Sequence, residues 1–129
     1  MSTELWLLFW SVPLYGLYLG AQSVIFRAQY GVMTAATARD RLPEPGLWLG
    51  RAERALRNFQ ETWPVYIVLV LLAHLAQPGE ALVFWGALVW ITARLVYLPL
   101  YLFGVFMLRS AVWMVSLIGL LIIGWGLVF

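Results

Sequence analysis

The stretch that decides the fold is Arg51-Ala-Glu-Arg-Ala-Leu-Arg-Asn-Phe-Gln-Glu-Thr-Trp-Pro64, which runs directly into the apolar segment Val65 to Ala76. At about 100° per residue on a helix, Arg51, Arg54, Asn58 and Glu61 fall within roughly 80° of one another. They form one polar stripe leading into an apolar helix. The apolar half, Trp63 to Ala76, has only 14 residues, too few to cross a hydrocarbon core of about 30 Å. The charged half must therefore continue the same helix into or across the interface. A run of charges is ordinarily a solvated face. Here a carboxylate and an amide share that face with two guanidiniums beside a bilayer, where polar groups need partners.

The rest of the chain supplies the membrane. Of 129 residues, 64% are hydrophobic and 11% charged, and mean hydropathy is +0.88. Such a balance points to an all-α integral membrane protein of one domain. The chain has no cysteine, which excludes disulfides, thiolate metal sites and a protein thiol nucleophile. No metal site is expected. Net charge is +2, with Arg as the only basic residue besides His74. So few basic groups, interleaved with acids, do not suit a nucleic-acid partner. The exclusive use of Arg fits a GC-rich genome, and a bacterial inner membrane is the expected location.

Four spans follow from length and punctuation. Leu5 to Phe26 is 22 residues long, and Met-Ser-Thr-Glu before it lacks the positive region of a secretory signal, so it reads as a retained span. Pro13 is a candidate kink. Gly16 and Gly20 have the spacing that lets helices pack closely. Trp6, Trp10, Tyr15 and Tyr18 include candidate interfacial anchors. Arg27 to Gly50 is the main polar connection, with an ordered turn expected over Asp40 to Gly46. The second helix starts near Leu47 to Arg51 and ends about Ala76, with a bend at Pro64. Gln77 to Glu80 is a tight turn, Ala81 to Phe103 the third span, residues 104 to 110 a connection, and Ala111 to Phe129 the apolar part of a fourth span opened by Arg109. The spans are thus about 5–26, 51–76, 81–103 and 109–129. Six of the eight Arg lie between residues 27 and 57 and Arg109 in the third loop. The positive-inside rule then places loops one and three in the cytoplasm and both termini outside.

Arg94, Tyr97 and Tyr101 share a face of the third helix at i, i+3, i+7. They lie at the depth of the Arg51–Glu61 stripe, and Arg109-Ser110 opens the fourth helix at the same level. Snorkelling arginines and interfacial tyrosines are the ordinary explanation. They account for neither Asn58 nor Glu61. A buried Glu61 would need a cation, with Arg94 or an Arg of the first stripe as its candidate. An Arg-rich pocket with amide and phenol groups suits an anionic, peptide-like ligand, and the bilayer would bring it a hydrophobic partner.

Arg51-Ala-x-Arg-Ala-x-x-Asn-x-x-Glu61 with the following Pro64, Arg94-x-x-Tyr-x-x-x-Tyr101 and Arg109-Ser110 together resemble the MAPEG family, the membrane-associated proteins in eicosanoid and glutathione metabolism. The resemblance covers nearly the whole chain. It implies a homotrimer of four-helix subunits that binds glutathione as co-substrate between neighbours near the cytoplasmic face. Arg51, Arg54, Asn58 and Glu61 would be the second-helix part of that site, and Arg94, Tyr97 and Tyr101 the third-helix part. Arg109 resembles the family arginine that stabilises the glutathione thiolate, with Ser110 beside it. Trp113 stands where some members have a Tyr on glutathione, and Arg27 where a glutathione carboxylate is held. The catalytic set so implied is Arg109, Ser110 and Tyr101. Some eicosanoid-synthesising members have His at the position of Tyr97, so their substrates are not implied. From Asn58 to Pro64 the spacing is one residue shorter than in some members.

The resulting expectation is a glutathione transferase or peroxidase acting on hydrophobic electrophiles or lipid hydroperoxides. The alternative is a non-enzymatic lipid-binding helper of the same fold, for which added glutathione would change nothing. A transporter is the weakest reading, because the polar residues crowd one membrane side. His74 reads as structural or interfacial.

Overall fold

A computed structural model of the chain describes residues 1–40 and 42–129. Arg41, within the expected Asp40–Gly46 turn, lies outside the described residues. The elements are α1 (Thr3–Tyr30), a single turn α2 (Val32–Ala35), α3 (Leu47–Ala76), α4 (Ala81–Leu102) and α5 (Phe106–Val128). The four long helices are each long and apolar enough to cross a membrane, which makes the protein a four-helix integral membrane bundle.

Length separates two kinds of helix. α4 and α5, with 22 and 23 residues, rise about 33–35 Å and just match a hydrocarbon core. α1 and α3, with 28 and 30 residues, rise about 42–45 Å, more than an untilted crossing needs. The N-terminal turns of α3 carry its arginines. Nothing in Arg27 to Tyr30 breaks a helix, so α1 runs past the expected Phe26 to Gly31, whose φ of 96° ends it. At the other connection Gly104, at φ 70°, turns the chain within three residues. α5 therefore begins at Phe106, earlier than the span expected from Arg109. α3 continues through Pro64 as one helix, which leaves the expected bend without an interruption of the element.

α3 and α4 each pack on all three other long helices, while α1 and α5 do not touch among the described residues. The core lies along the α3–α4 diagonal. Its centre is Tyr66 stacked on Trp90, with ring centroids 4.0 Å apart and planes within 10°. Phe59, Tyr18, Val70 and Ile123 close around that pair. The outer surface is studded with exposed Leu, Val and Trp side chains from every long helix, a surface that water would not tolerate and hydrocarbon does.

Close helix approach occurs at glycines other than the two the spacing suggests. Gly16 and Gly20 have open space where a Cβ would stand. A Cβ on Gly86 of α4 would meet Gly119 O of α5 at 2.8 Å, and one on Gly119 would meet Gly86 O at 2.9 Å. There the two backbones touch.

Polar groups also close the end of the bundle where the chain starts. The Glu4 carboxylate, 2% exposed, accepts the Gly79 N–H at 3.0 Å and lies 3.2 Å from His74 Nδ1. Ser2 Oγ is 3.1 Å from the same nitrogen. His74 is thus a structural residue that joins α3 to the start of α1. Glu4→Ala removes the acceptor of the Gly79 N–H and the partner of His74, and the loss of such a hydrogen bond costs about 0.5–1.5 kcal/mol. Thermal unfolding in detergent should show a lower midpoint for Glu4→Ala and an unchanged one for Glu80→Ala.

Candidate functional site

The opposite end of the bundle gathers the residues singled out in the sequence. The periodicity of α3 explains which of them turn inward. Its buried Ala52, Ala55, Phe59 and Tyr66 define the core direction. At about 100° per residue, Arg51, Asn58 and Thr62 lie roughly 50–90° from that direction, and Glu61 lies roughly 150° away. The first three flank the core. Glu61 points out of it and is exposed.

Tyr101 is the centre of the site. Its hydroxyl accepts a hydrogen bond from Arg54 Nε of α3 at 3.3 Å. The Arg109 guanidinium of α5 lies over its ring, 4.6 Å from the centroid, a favourable placement for a cation on an aromatic face. Tyr97 leans on it from one turn earlier, with centroids 5.5 Å apart. One phenol thus joins two guanidiniums from two other helices.

These groups line a cavity of about 480 Å³, within the range of small-molecule sites. α3 contributes Arg54 and Asn58, α4 contributes Tyr97 and Tyr101, and α5 contributes Arg109, Ser110, Trp113 and Met114. Among the described residues no carboxylate is in the lining, so the two cations face the cavity uncompensated. Asn58 Oδ1 and Trp113 Nε1 are buried and without a hydrogen-bond partner among the described residues. An orphaned acceptor and an orphaned donor in one cavity are suited to a ligand with amide groups. Ser110 Oγ donates to Phe106 O of its own helix at 3.4 Å, which ties up its proton locally.

Four expected site residues stand outside the lining. Arg94 is fully buried behind Tyr97, its guanidinium 5.0 Å from that ring. Its Nη2 donates to Asn58 O at 3.2 Å and to the Thr62 hydroxyl. The expected pairing of Glu61 with Arg94 or another arginine does not form; among the described residues the one ion pair is His74–Glu4. Thr62, one residue further round α3, occupies the face toward α4 that Glu61 would have needed. Arg51 donates to Leu102 O at 3.0 Å. Arg27 is exposed and its Nη1 bonds Ser23 O of its own helix at 3.3 Å. Thr62 and Met114 are residues the sequence reading passed over. Both were signalled by i+4 spacing, from Asn58 and Ser110 respectively.

Fold and cavity together define a polytopic membrane protein with a cationic, aromatic-walled pocket at one end of its bundle. The MAPEG family model matches residues 5–129. The chain belongs to the MAPEG family, membrane proteins of glutathione and eicosanoid metabolism. No curated protein and no solved structure matched it.

Proposed function

We propose that the chain is a membrane-bound glutathione transferase, with peroxidase activity toward lipid hydroperoxides as the related possibility of the same site. The observation that carries this reading is the convergence of Arg54 and Arg109 on Tyr101 in a cavity without carboxylates. Glutathione brings two carboxylates, two amides and a thiol. Arg54 would hold a carboxylate, Asn58 and Trp113 the amides, and Arg109 the sulfur. Tyr97, and Arg94 behind it, add a phenol and a buried cation to the same wall.

A free thiol has a pKa of about 8.5, so little thiolate exists at neutral pH. A guanidinium beside the sulfur favours the anion. The thiol proton leaves to water. The thiolate pair then forms a C–S bond while the electrophile's leaving group departs with its own bonding pair. With a hydroperoxide the thiolate takes the terminal oxygen. The O–O bond breaks, the alkoxide is protonated to an alcohol, and a second glutathione converts the sulfenic acid to disulfide and water. The hydrophobic reactant would arrive from the bilayer. We place loops one and three in the cytoplasm, both termini outside, the protein in a bacterial inner membrane, and the working unit as a homotrimer.

A second observation favours the lipid-binding helper. An apolar groove of about 350 Å³ between α4 and α5, lined by Trp85, Leu88, Val89, Val96 and Val115 among others, is separate from the cationic cavity. Ultraviolet thiolate absorbance during a glutathione titration, on purified protein in detergent at neutral pH, separates the two. The transferase gives a saturable thiolate signal. No signal from a folded protein would overturn that reading and leave the helper.

A further inference from the structure

We infer that Arg51 is a positioning residue, which sets the place of Arg109 by gripping the α4–α5 turn instead of touching the thiol ligand. The inference rests on the proposed role of Arg109 and concerns how the fold delivers that side chain. Tyr101 and Arg109 face each other across a connection of three residues, Phe103 to Val105. In that connection Phe103 N–H bonds Pro99 O, Gly104 N–H bonds Tyr101 O, and Val105 N–H bonds Leu100 O, at 3.0, 3.1 and 3.0 Å. The last carbonyl of α4, Leu102 O, takes the Arg51 Nη1–H at 3.0 Å. A cation at a helix C-terminus also meets the negative end of the helix dipole.

The guanidinium is seated as well as bonded. A Cβ on Gly104 would stand 2.6 Å from Arg51 Nη2 and 2.8 Å from Cζ. Gly104 therefore serves twice, adopting φ 70° and leaving room for the arginine. Trp48, one turn before Arg51 on α3, closes the grip, its ring 5.8 Å from the guanidinium and edge-on to Phe103 at 5.7 Å. Val105 caps the start of α5, and its carbonyl accepts the Arg109 N–H at 3.0 Å. Arg109 sits at the end of the first turn, so a shift of the connection is passed to it directly. Misplacement of a reacting group by about 1 Å can cost a hundredfold in rate.

The test compares Arg51→Ala, Arg51→Gln, Gly104→Ala and the double variant Arg51→Ala/Gly104→Ala in the full chain. The readouts are glutathione thiolate absorbance against pH, kcat and KM with an activated aryl halide, and amide hydrogen exchange without ligand. Arg51→Ala should raise the pKa of the bound thiol and lower kcat about ten- to a hundredfold. The KM for glutathione should change less than about threefold, since no ligand contact is lost. Arg51→Gln keeps an N–H donor and should retain part of the thiolate. Gly104→Ala should reproduce the loss, and the double variant should be no worse than the poorer single one.

A raised KM with unchanged kcat and thiol pKa, or effects that add, would overturn the inference in favour of direct ligand contact. Exchange at residues 103–109 should accelerate in Arg51→Ala without a change along α1. Unchanged exchange there would overturn the inference whatever glutathione does. Absence of thiolate in the wild type would instead count against the transferase reading alone.

Discussion

Arg109→Ala abolishes the thiolate signal of bound glutathione at neutral pH and moves its titration to higher pH, while glutathione still binds. A guanidinium near the sulfur stabilises the charged form, so in the wild type the thiol loses its proton at lower pH than in solution. The wild-type rate is then present above this lowered pKa and falls as pH drops through it. Without Arg109 the thiol returns to about 8.5 or above, and the rate at a fixed lower pH falls about tenfold for each unit regained. If Arg109 acts only through the pKa, the two proteins converge above pH of about 9.5. A gap that persists there, of about a hundredfold or more, would mean that the guanidinium also stabilises charge in the transition state. Arg109→Lys should fall between, because an ammonium restores charge without the planar fit over Tyr101. Arg54, Asn58 and Trp113 are untouched in both variants, so binding measured by calorimetry should weaken little. A thiolate signal equal to that of wild type in Arg109→Ala would remove the residue from the chemistry.

Much of this site was legible in the sequence because helical periodicity is a reliable ruler over short spans. The i, i+3, i+7 spacing that puts Tyr97 and Tyr101 on one face survives in the structure, and Arg54 and Asn58 line the same cavity. What periodicity could not supply was the rotation of each helix about its own axis. The angle of α3 is set by Ala52, Ala55, Phe59 and Tyr66, which bury completely or nearly so. That angle turns Glu61 outward and gives Thr62 the place beside Arg94. Of the four stripe residues, only Arg54 and Asn58 line the cavity. Likewise the Gly-x-x-x-Gly spacing in α1 says only that a close approach is permitted. Whether a neighbour uses it depends on tertiary packing, and within the chain the neighbour lies elsewhere.

Arg94 shows a second limit. Its depth beneath Tyr97 was not readable from spacing, since Arg at a helix end usually extends toward water. Here three aromatic rings surround the guanidinium at 5.0 to 5.9 Å, while Nε and Nη1 have no hydrogen-bond partner among the described residues. Two backbone and hydroxyl acceptors satisfy part of the group and leave its charge uncompensated. A buried, unpaired cation is costly. Retaining it directly behind a cavity that holds two further guanidiniums makes sense when the cavity's occupant is an anion.

The largest stability effect is expected at the crossing of α4 and α5. Gly119→Ala adds a Cβ that would stand 2.9 Å from both Gly86 O and Trp90 N, backbone atoms that cannot move aside as a side chain can. The helices must separate or rotate, and overpacking of this kind costs about 1–3 kcal/mol. Gly86→Ala meets the reciprocal contact and should behave alike. Their combination should fall short of additive, because one separation relieves both clashes. Gly124, on the same helix but with open space at its Cβ position, supplies the control. There alanine should raise stability by about 0.5–1 kcal/mol through helix propensity alone. Gly16→Ala and Gly20→Ala are informative in a different way. Within one chain both should stabilise as Gly124→Ala does, so a loss at either would locate a contact made by another copy of the chain. Thermal unfolding in a single detergent should therefore order the proteins with Gly119→Ala and Gly86→Ala below wild type and Gly124→Ala at or above it. If all three unfold together, the backbones of α4 and α5 do not meet at Gly86 and Gly119.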